Sequence, residues 1–222
     1  MVIDRAIAAP THGRYLIDVP AEGGPWPLLV GFHGYAEAAE AQLARLRSST
    51  GGDGWLVVAV QGLHRFYRGR TDDVVAGWMT RQDRELAIAD NLAYVAAVVD
   101  EVSREWKTDG HIVFAGFSQG VAMAFRAAAT ENRVTAPKAG VAVMALGGDV
   151  PPELEPTSLA RIRAALVGRG TRDKWYTPEK HASDMRRLRA AGTEVDAVAV
   201  DAGHEWTGEF SRAAADFLRR RR

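Results

Sequence analysis

The pentapeptide Gly116-Phe117-Ser118-Gln119-Gly120 sets a serine between two glycines, after an apolar run and before a stretch rich in small residues. Where a strand turns sharply into a helix at such a pentapeptide, the serine backbone is strained and its hydroxyl is lifted above the sheet. Side chains two residues before and after the serine would collide across the turn, which explains glycine at both places. The amide of Gln119 then faces a developing oxyanion from the N-terminus of a helix. The chemistry implied is nucleophilic attack on an acyl carbon. A capping serine in a tight glycine turn is the structural alternative.

A serine hydroxyl is a poor nucleophile until a neighbouring base takes its proton. His204, in Asp201-Ala202-Gly203-His204-Glu205-Trp206, follows the apolar alternation of Val195–Val200 and is the expected base. His12 and His64 lie in polar stretches, His111 begins a strand and His181 falls inside a helix. For the carboxylate that orients the histidine, Asp173 is favoured: it follows the run Ile162–Val167 at the carboxyl edge of the expected sheet and gives the chain order serine, acid, histidine expected when the serine sits on such a strand-to-helix turn. Asp149 and Asp201 are its rivals. A second oxyanion donor is expected after the strand Leu28–Phe32, where His33-Gly34 lets backbone approach closely and the amide of Tyr35 is the candidate. His33 itself reads better as a buried histidine bonding neighbouring loops. Trp78, Trp175 and Trp206 are candidate substrate-binding residues, each beside a loop expected at the same edge.

The elements that must position these groups alternate short β-branched runs with longer helical ones, the pattern of a mainly parallel sheet with helices on both faces. Arg14–Val19 reads as an edge strand; Leu28–Phe32, Trp55–Val60, His111–Ala115, Ala139–Leu146, Ile162–Val167 and Val195–Val200 read as further strands. Helices are expected over Glu37–Arg47, Asp83–Trp106 (with Leu86, Leu92, Val95 and Val99 on one stripe), Ser118–Ala129, Pro178–Ala191 and Gly208–Arg222. Gln61–Gly77 reads as a long polar connection. The segment from Gly147 to Ala160 leaves little room for a cap, so an open site is expected. With no repeat and no break in composition, residues 1–222 read as one domain.

Lysine plus arginine and aspartate plus glutamate both number 28, so the formal net charge is zero and no overall field attracts nucleic acid or an anionic membrane. The arginines at Arg219–Arg222 read as a solvated helix end that complements the macrodipole. The basic residues His64, Arg65, Arg68 and Arg70 are followed at once by Asp72 and Asp73 and read as a solvated loop. The chain has no cysteine, which excludes disulfides, thiolate catalysis and Cys-based metal sites. No secretory signal or run long enough to span a bilayer is evident, so a cytoplasmic enzyme is the default. The chemistry calls for no cofactor and no metal, and the expected partner is a small-molecule ester.

Phe32-His33-Gly34, Gly116-Phe117-Ser118-Gln119-Gly120, the glycine-rich approach to Asp173 and Gly203-His204 together resemble the phospholipase/carboxylesterase branch of the α/β-hydrolases, which includes acyl-protein thioesterases. The resemblance runs from Leu28 to His204. It implies a serine carboxylesterase acting on short- to medium-chain esters through an acyl-enzyme. Gly34-Tyr35-Ala36-Glu37 departs from the Gly-Leu-Gly-Asp-like sequence of the thioesterase members, and the dienelactone hydrolases of similar size use a cysteine this chain lacks. A thioesterase, lysophospholipase or amidase with the same three residues, or a binding protein that kept the fold, are the alternatives.

Overall fold

The computed structural model describes residues 1–21, 23–52, 54–130 and 140–221. Seven strands form one sheet in the order β1-β3-β2-β6-β7-β8-β9. They are β1 (Arg14–Asp18), β2 (Trp26–Phe32), β3 (Leu56–Gln61), β6 (Thr108–Phe117), β7 (Val141–Leu146), β8 (Ile162–Gly170) and β9 (Glu194–Val200). All neighbours run parallel except the edge strand β1, which pairs antiparallel with β3. Ala139, the expected start of β7, lies outside the described residues. This is the α/β architecture expected, with helices on both faces.

The central strands are apolar on both sides because both sides are covered. Leu28, Val30 and Phe32 of β2 join one core with Ile112 and Phe114 of β6, while Leu29 and Val113 point into the other. The first core is closed by α2 (Arg84–Glu105), α3 (Gln119–Ala129) and α5 (Pro178–Ala190), the second by α1 (Ala39–Thr50) and α6 (Gly208–Arg219). α5 and α6 each begin on a threonine whose hydroxyl accepts from a backbone amide of the first turn, Thr177 from Lys180 and Thr207 from Phe210. Between β7 and β8 stands only the single-turn helix α4 (Pro156–Leu159), and among the described residues no sizeable cap covers the sheet edge.

Two expectations need correction. The connection 61–77 is not all loop: β4 (His64–Tyr67) and β5 (Val74–Gly77) pair as an antiparallel hairpin, with Arg65 bonding the carbonyl of His12 and Arg68 that of Ala36. The buried stripe of α2 also differs at its first residue. Leu86 is 52% exposed, whereas Val95 and Val99 are buried and Leu92 packs on the same core, joined there by Ala87, Asn91, Val98 and Val102. Asn91 belongs to that face because its amide donates to the carbonyls of Trp78 and Ala87, at 2.9 and 2.8 Å. At the end of the chain Arg219, Arg220 and Arg221 pair with Asp216, Asp196 and Glu194, and Arg222 lies outside the described residues.

α6 is pinned chiefly by aromatic packing. Phe210 is fully buried, meets Trp206 edge-on at 4.7 Å and lies over the backbone of Gly168 in β8. Phe210→Ala is expected to lower the unfolding free energy by about 3–5 kcal/mol, measured by urea denaturation; a loss below about 1 kcal/mol would show that this face repacks freely.

Candidate active site

β6 ends at Phe117 and α3 begins at Gln119, so a single residue turns the chain from strand to helix. That residue is Ser118, with φ 52° and ψ −118°, a conformation that L-residues adopt only under constraint. The constraint is visible around it. The Ser118 amide donates to the carbonyl of Leu146 at the end of β7, and its own carbonyl accepts from Val121. A methyl group at Gly116 would stand 2.4 Å from the carbonyl oxygen of Gly120, and one at Gly120 would stand 2.2 Å from that of Phe32. The glycines therefore allow α3 to start directly against β2, as the pentapeptide implies.

The structure brings Ser118, His204 and Asp173 together. His204 Nε2 lies 2.7 Å from the Ser118 hydroxyl, and Nδ1 lies 2.7 Å from Asp173 Oδ2. The other carboxylate oxygen of Asp173 accepts from the amides of Trp175 and Tyr176, at 2.8 and 3.1 Å. Burial works to raise this carboxyl, but the bonds from His204 and the two amides outweigh it and hold the group below the usual aspartate value. With Oδ2 ionised as an acceptor, the proton on the ring belongs on Nδ1, which leaves Nε2 free to accept from serine. The face of the imidazole packs on Phe117 at 5.1 Å. Gly147 completes the fit, since a side chain there would press within 3.2–3.4 Å of the imidazole and of Asp173.

The rival carboxylates are engaged elsewhere. Asp149 pairs with Lys180 at 3.1 Å, and Asp201 pairs with Arg172 and faces solvent. His33 is wholly buried, accepts from the Gly62 amide at Nε2 and donates from Nδ1 to the carbonyl of Gly34. Burial pushes its pKa down, so the neutral ring serves as a loop brace. His111 stands beside Asp109, and His181 leans on Tyr176 and the carbonyl of Val167.

Tyr35 and Gln119 both border the cavity of about 740 Å³ that opens over Ser118 and His204. Of the three tryptophans expected to line it, Trp175 does so and is largely exposed. Trp78 does not: it is fully buried, donates from its indole to the carbonyl of His33 and packs edge-on against Phe32. Trp206 also lies apart, turned toward Phe117 and Phe210 with its indole bonded to Ser211, where it borders a separate shallow groove with Arg45. A tryptophan near the correct edge can face inward, and residue type alone does not reveal which way it turns. Among the described residues, no cluster of three or more histidine or acidic side chains is arranged to hold a metal ion.

Three supporting side-chain contacts have no counterpart among the sequence expectations, although Gln119 was expected there through its backbone amide. The side chain of Gln119 accepts from the Trp78 amide at 2.8 Å and donates to the carbonyl of Met79 at 3.0 Å, fixing the segment after β5 to α3. Asp184 is buried on α5 and accepts from the Val150 amide and the Tyr176 hydroxyl, both at 3.0 Å, thereby joining the loops that follow β7 and β8. Glu37 accepts from the Gly34 amide at 2.7 Å and from both terminal nitrogens of Arg45 at 2.6 Å, and the guanidinium lies over the Phe117 ring. The last had a signal in the sequence, an acid and an arginine eight residues apart flanking the first turn of α1.

Fold and site together define a member of the α/β-hydrolase class, with its strand-to-helix serine turn at the carboxyl edge of a parallel sheet. The profile of the acetyl xylan esterase family, AXE1, matches residues 7–145, well over half of the chain, and the chain belongs to that family. The matched part contains Tyr35 and the serine turn and ends before Asp173 and His204. Similar solved structures include a carboxylesterase of Bacillus cereus, 15% identical with a TM-score of 0.72 over 95% of each chain. A carboxylesterase of Mesorhizobium loti is 20% identical, TM-score 0.75, over 93% of this chain and 94% of that one. SOBER1 of Arabidopsis thaliana is 15% identical, TM-score 0.69, over 88% and 98%. At these identities the likeness is one of fold. Comparison with curated protein sequences found no match.

The Glu37–Arg45 pair yields a test of what holds the Tyr35 loop. Burial raises the Glu37 carboxyl, but the guanidinium and the Gly34 amide more than offset this, leaving it below its ordinary value of 4.5. Ionisation therefore favours the folded state. Glu37→Gln is expected to cost roughly 2 kcal/mol at pH 7. The difference from the parent should be full at neutral pH and shrink as pH falls through and below 4.5. Urea denaturation at pH 7 and pH 4 checks this; an equal difference at both would refute the assignment.

Proposed function

We propose that the chain is a serine ester hydrolase working through an acyl-enzyme, with Ser118 as nucleophile, His204 as general base and then acid, and Asp173 as the carboxylate that orients and stabilises the imidazolium. The observation that carries this reading is the single imidazole bonded on one side to a strained serine and on the other to a buried carboxylate. In that geometry Ser118 Oγ passes its proton to Nε2 as it attacks the ester carbonyl. The tetrahedral oxyanion lies against the amides of Gln119, at the first turn of α3 where backbone amides have no helical partner, and Tyr35, in the loop after β2. Collapse of the intermediate expels the alcohol with the proton from Nε2. Water then attacks the acyl-enzyme by the same route and releases the acid. The chemistry as drawn uses no metal and no cofactor.

The uncapped cavity supports short- to medium-chain acyl groups over long lipids, with Trp175 at its rim. Membership of a family named for acetyl xylan esterase supports the small end of that range, an acetyl group on a polar alcohol. Amide and thioester cleavage use the same three groups, and the ester reading is preferred on that family membership.

Ser118→Ala is expected to reduce hydrolysis of nitrophenyl acetate by about 10⁴-fold or more while leaving the fold intact. Asp173→Asn should cost roughly 10⁴ in kcat through loss of the productive tautomer. Substitution of Asp149 or Asp201 should change kcat less than tenfold, and a large loss there with a mild Asp173→Asn would reassign the acid. Because Asp173 is held below the usual aspartate range, acidification to the ordinary aspartate value should not abolish activity through protonation of this carboxyl, and a pH–rate profile that loses activity with Asp173 as the titrating group would contradict the arrangement.

A further inference from the structure

The cavity over Ser118 is unlike the rest of this electrically neutral chain. Four cationic side chains border it, Arg81, Arg84, Arg126 and Lys180, against one carboxylate, Asp149. Lys180 and Asp149 neutralise each other. Arg126 is 3% exposed, and its Nε and Nη2 share one oxygen of Glu153. Its remaining terminal nitrogen meets the thioether of Met79 at 3.4 Å, a weak acceptor for a buried guanidinium. Arg84, at the first position of α2, and Arg81, in the segment before it, make no ion pair with a carboxylate among the described residues, though both border the cavity. One wall thus combines a buried arginine that has an under-used donor with two exposed arginines in no close ion pair among the described residues, of which Arg84 shares the field of Glu153.

The spacing suits recognition at a distance from the reacting atoms. Arg126 lies eight residues beyond Ser118 on α3, about 12 Å along the helix axis, and helical side chains lean back toward the N-terminus. Its guanidinium therefore sits a short chain's length from the serine, on the side where Met79 also borders the cavity. Arginine forks match a carboxylate with two parallel hydrogen bonds, and a partly desolvated one binds it more strongly than surface lysines do.

We propose that this cavity selects esters bearing a carboxylate a few bonds from the scissile carbonyl, with Arg126, Arg84 and Arg81 as the anion-binding wall. The proposal rests on the reading of Ser118 as the nucleophile and adds the chemical class of its substrate. Binding and turnover test the two readings separately. Ser118→Ala protein is titrated with monomethyl glutarate and with methyl valerate, its neutral counterpart, and followed by NMR. The half-ester should bind at least about tenfold more tightly, with a preference that shrinks as salt rises. In Ser118→Ala carrying Arg81→Ala and Arg84→Ala as well, that preference should fall by about tenfold. Equal binding of the two esters, or a preference unchanged in the arginine variant, overturns the anionic-substrate proposal. Turnover of neutral nitrophenyl acetate by the unmodified protein reports on the nucleophile alone, so its absence would sink the serine mechanism and leave the binding result to stand on its own.

Discussion

Where the turn between β6 and α3 crosses the end of β2, backbone meets backbone with no space for a methyl group. A Cβ at Gly120 would fall within 2.6 Å of the carbonyl oxygens of both Phe32 and His33. This contact fixes where α3 begins. It forces Ser118 into a left-handed conformation, aims the hydroxyl out of the sheet and brings the first amides of α3 level with the loop that carries Tyr35. Strain of this kind costs of order 1–3 kcal/mol and persists only if the surroundings over-determine it. Here they do: the serine amide is held by Leu146, and the strands on either side are buried throughout except at Trp26, the first residue of β2.

Ser118 thus inherits the rigidity of the sheet, whereas His204 and Asp173 stand on loops and need other means of support. Asp173 is held by the two amides that follow it, and Tyr176 in the same loop is tied to Asp184. Asp184 also holds the amide of Val150 in the loop after β7. Burial pushes its carboxyl up despite these donors, as expected of a group whose hydrogen bonds only partly replace its lost hydration. On the other side, Glu37 and Arg45 tie the Tyr35 loop to α1 and to the Phe117 ring on which His204 rests. Each loop that contributes to the site is therefore linked to a neighbouring loop or helix by at least one buried or half-buried polar side chain.

That division explains what the sequence disclosed. Strands buried on both faces announce themselves as continuous apolar runs, so β2, β3, β7 and β8 were placed to within a few residues. The serine turn was legible because steric necessity prescribes its glycines, and Asp173 and His204 followed from their places after successive strands. The β4–β5 hairpin was not, because β4 is polar and largely exposed and the buried β5 is only four residues long, so no hydrophobic alternation marks the pair. On α2 the stripe Leu92, Val95 and Val99 marks the inner face, but Leu86 does not, because a small alanine and a buried asparagine occupy that face in the first turns. Bonds such as Asp184 to Val150, or Gln119 to Met79, join residues that only the folded chain brings near and that have no periodic signature.

The electrostatics of the cavity follow from the same unequal burial. Arg81 and Arg84 are exposed, so water and salt screen them and each alone contributes little at a distance. Arg126 is different: nearly shut off from solvent, it sits where an opposite charge is felt most strongly and a missing one costs most. Glu153, the acid that balances it, has a half-exposed side chain, which leaves that pairing partly hydrated on one side. A buried cation whose counter-charge is half in water can still attract a second anion from the cavity. The neutral total charge of the chain conceals this, because the sum counts Arg126 and a surface arginine alike, whereas the strength of their fields depends on the water each retains.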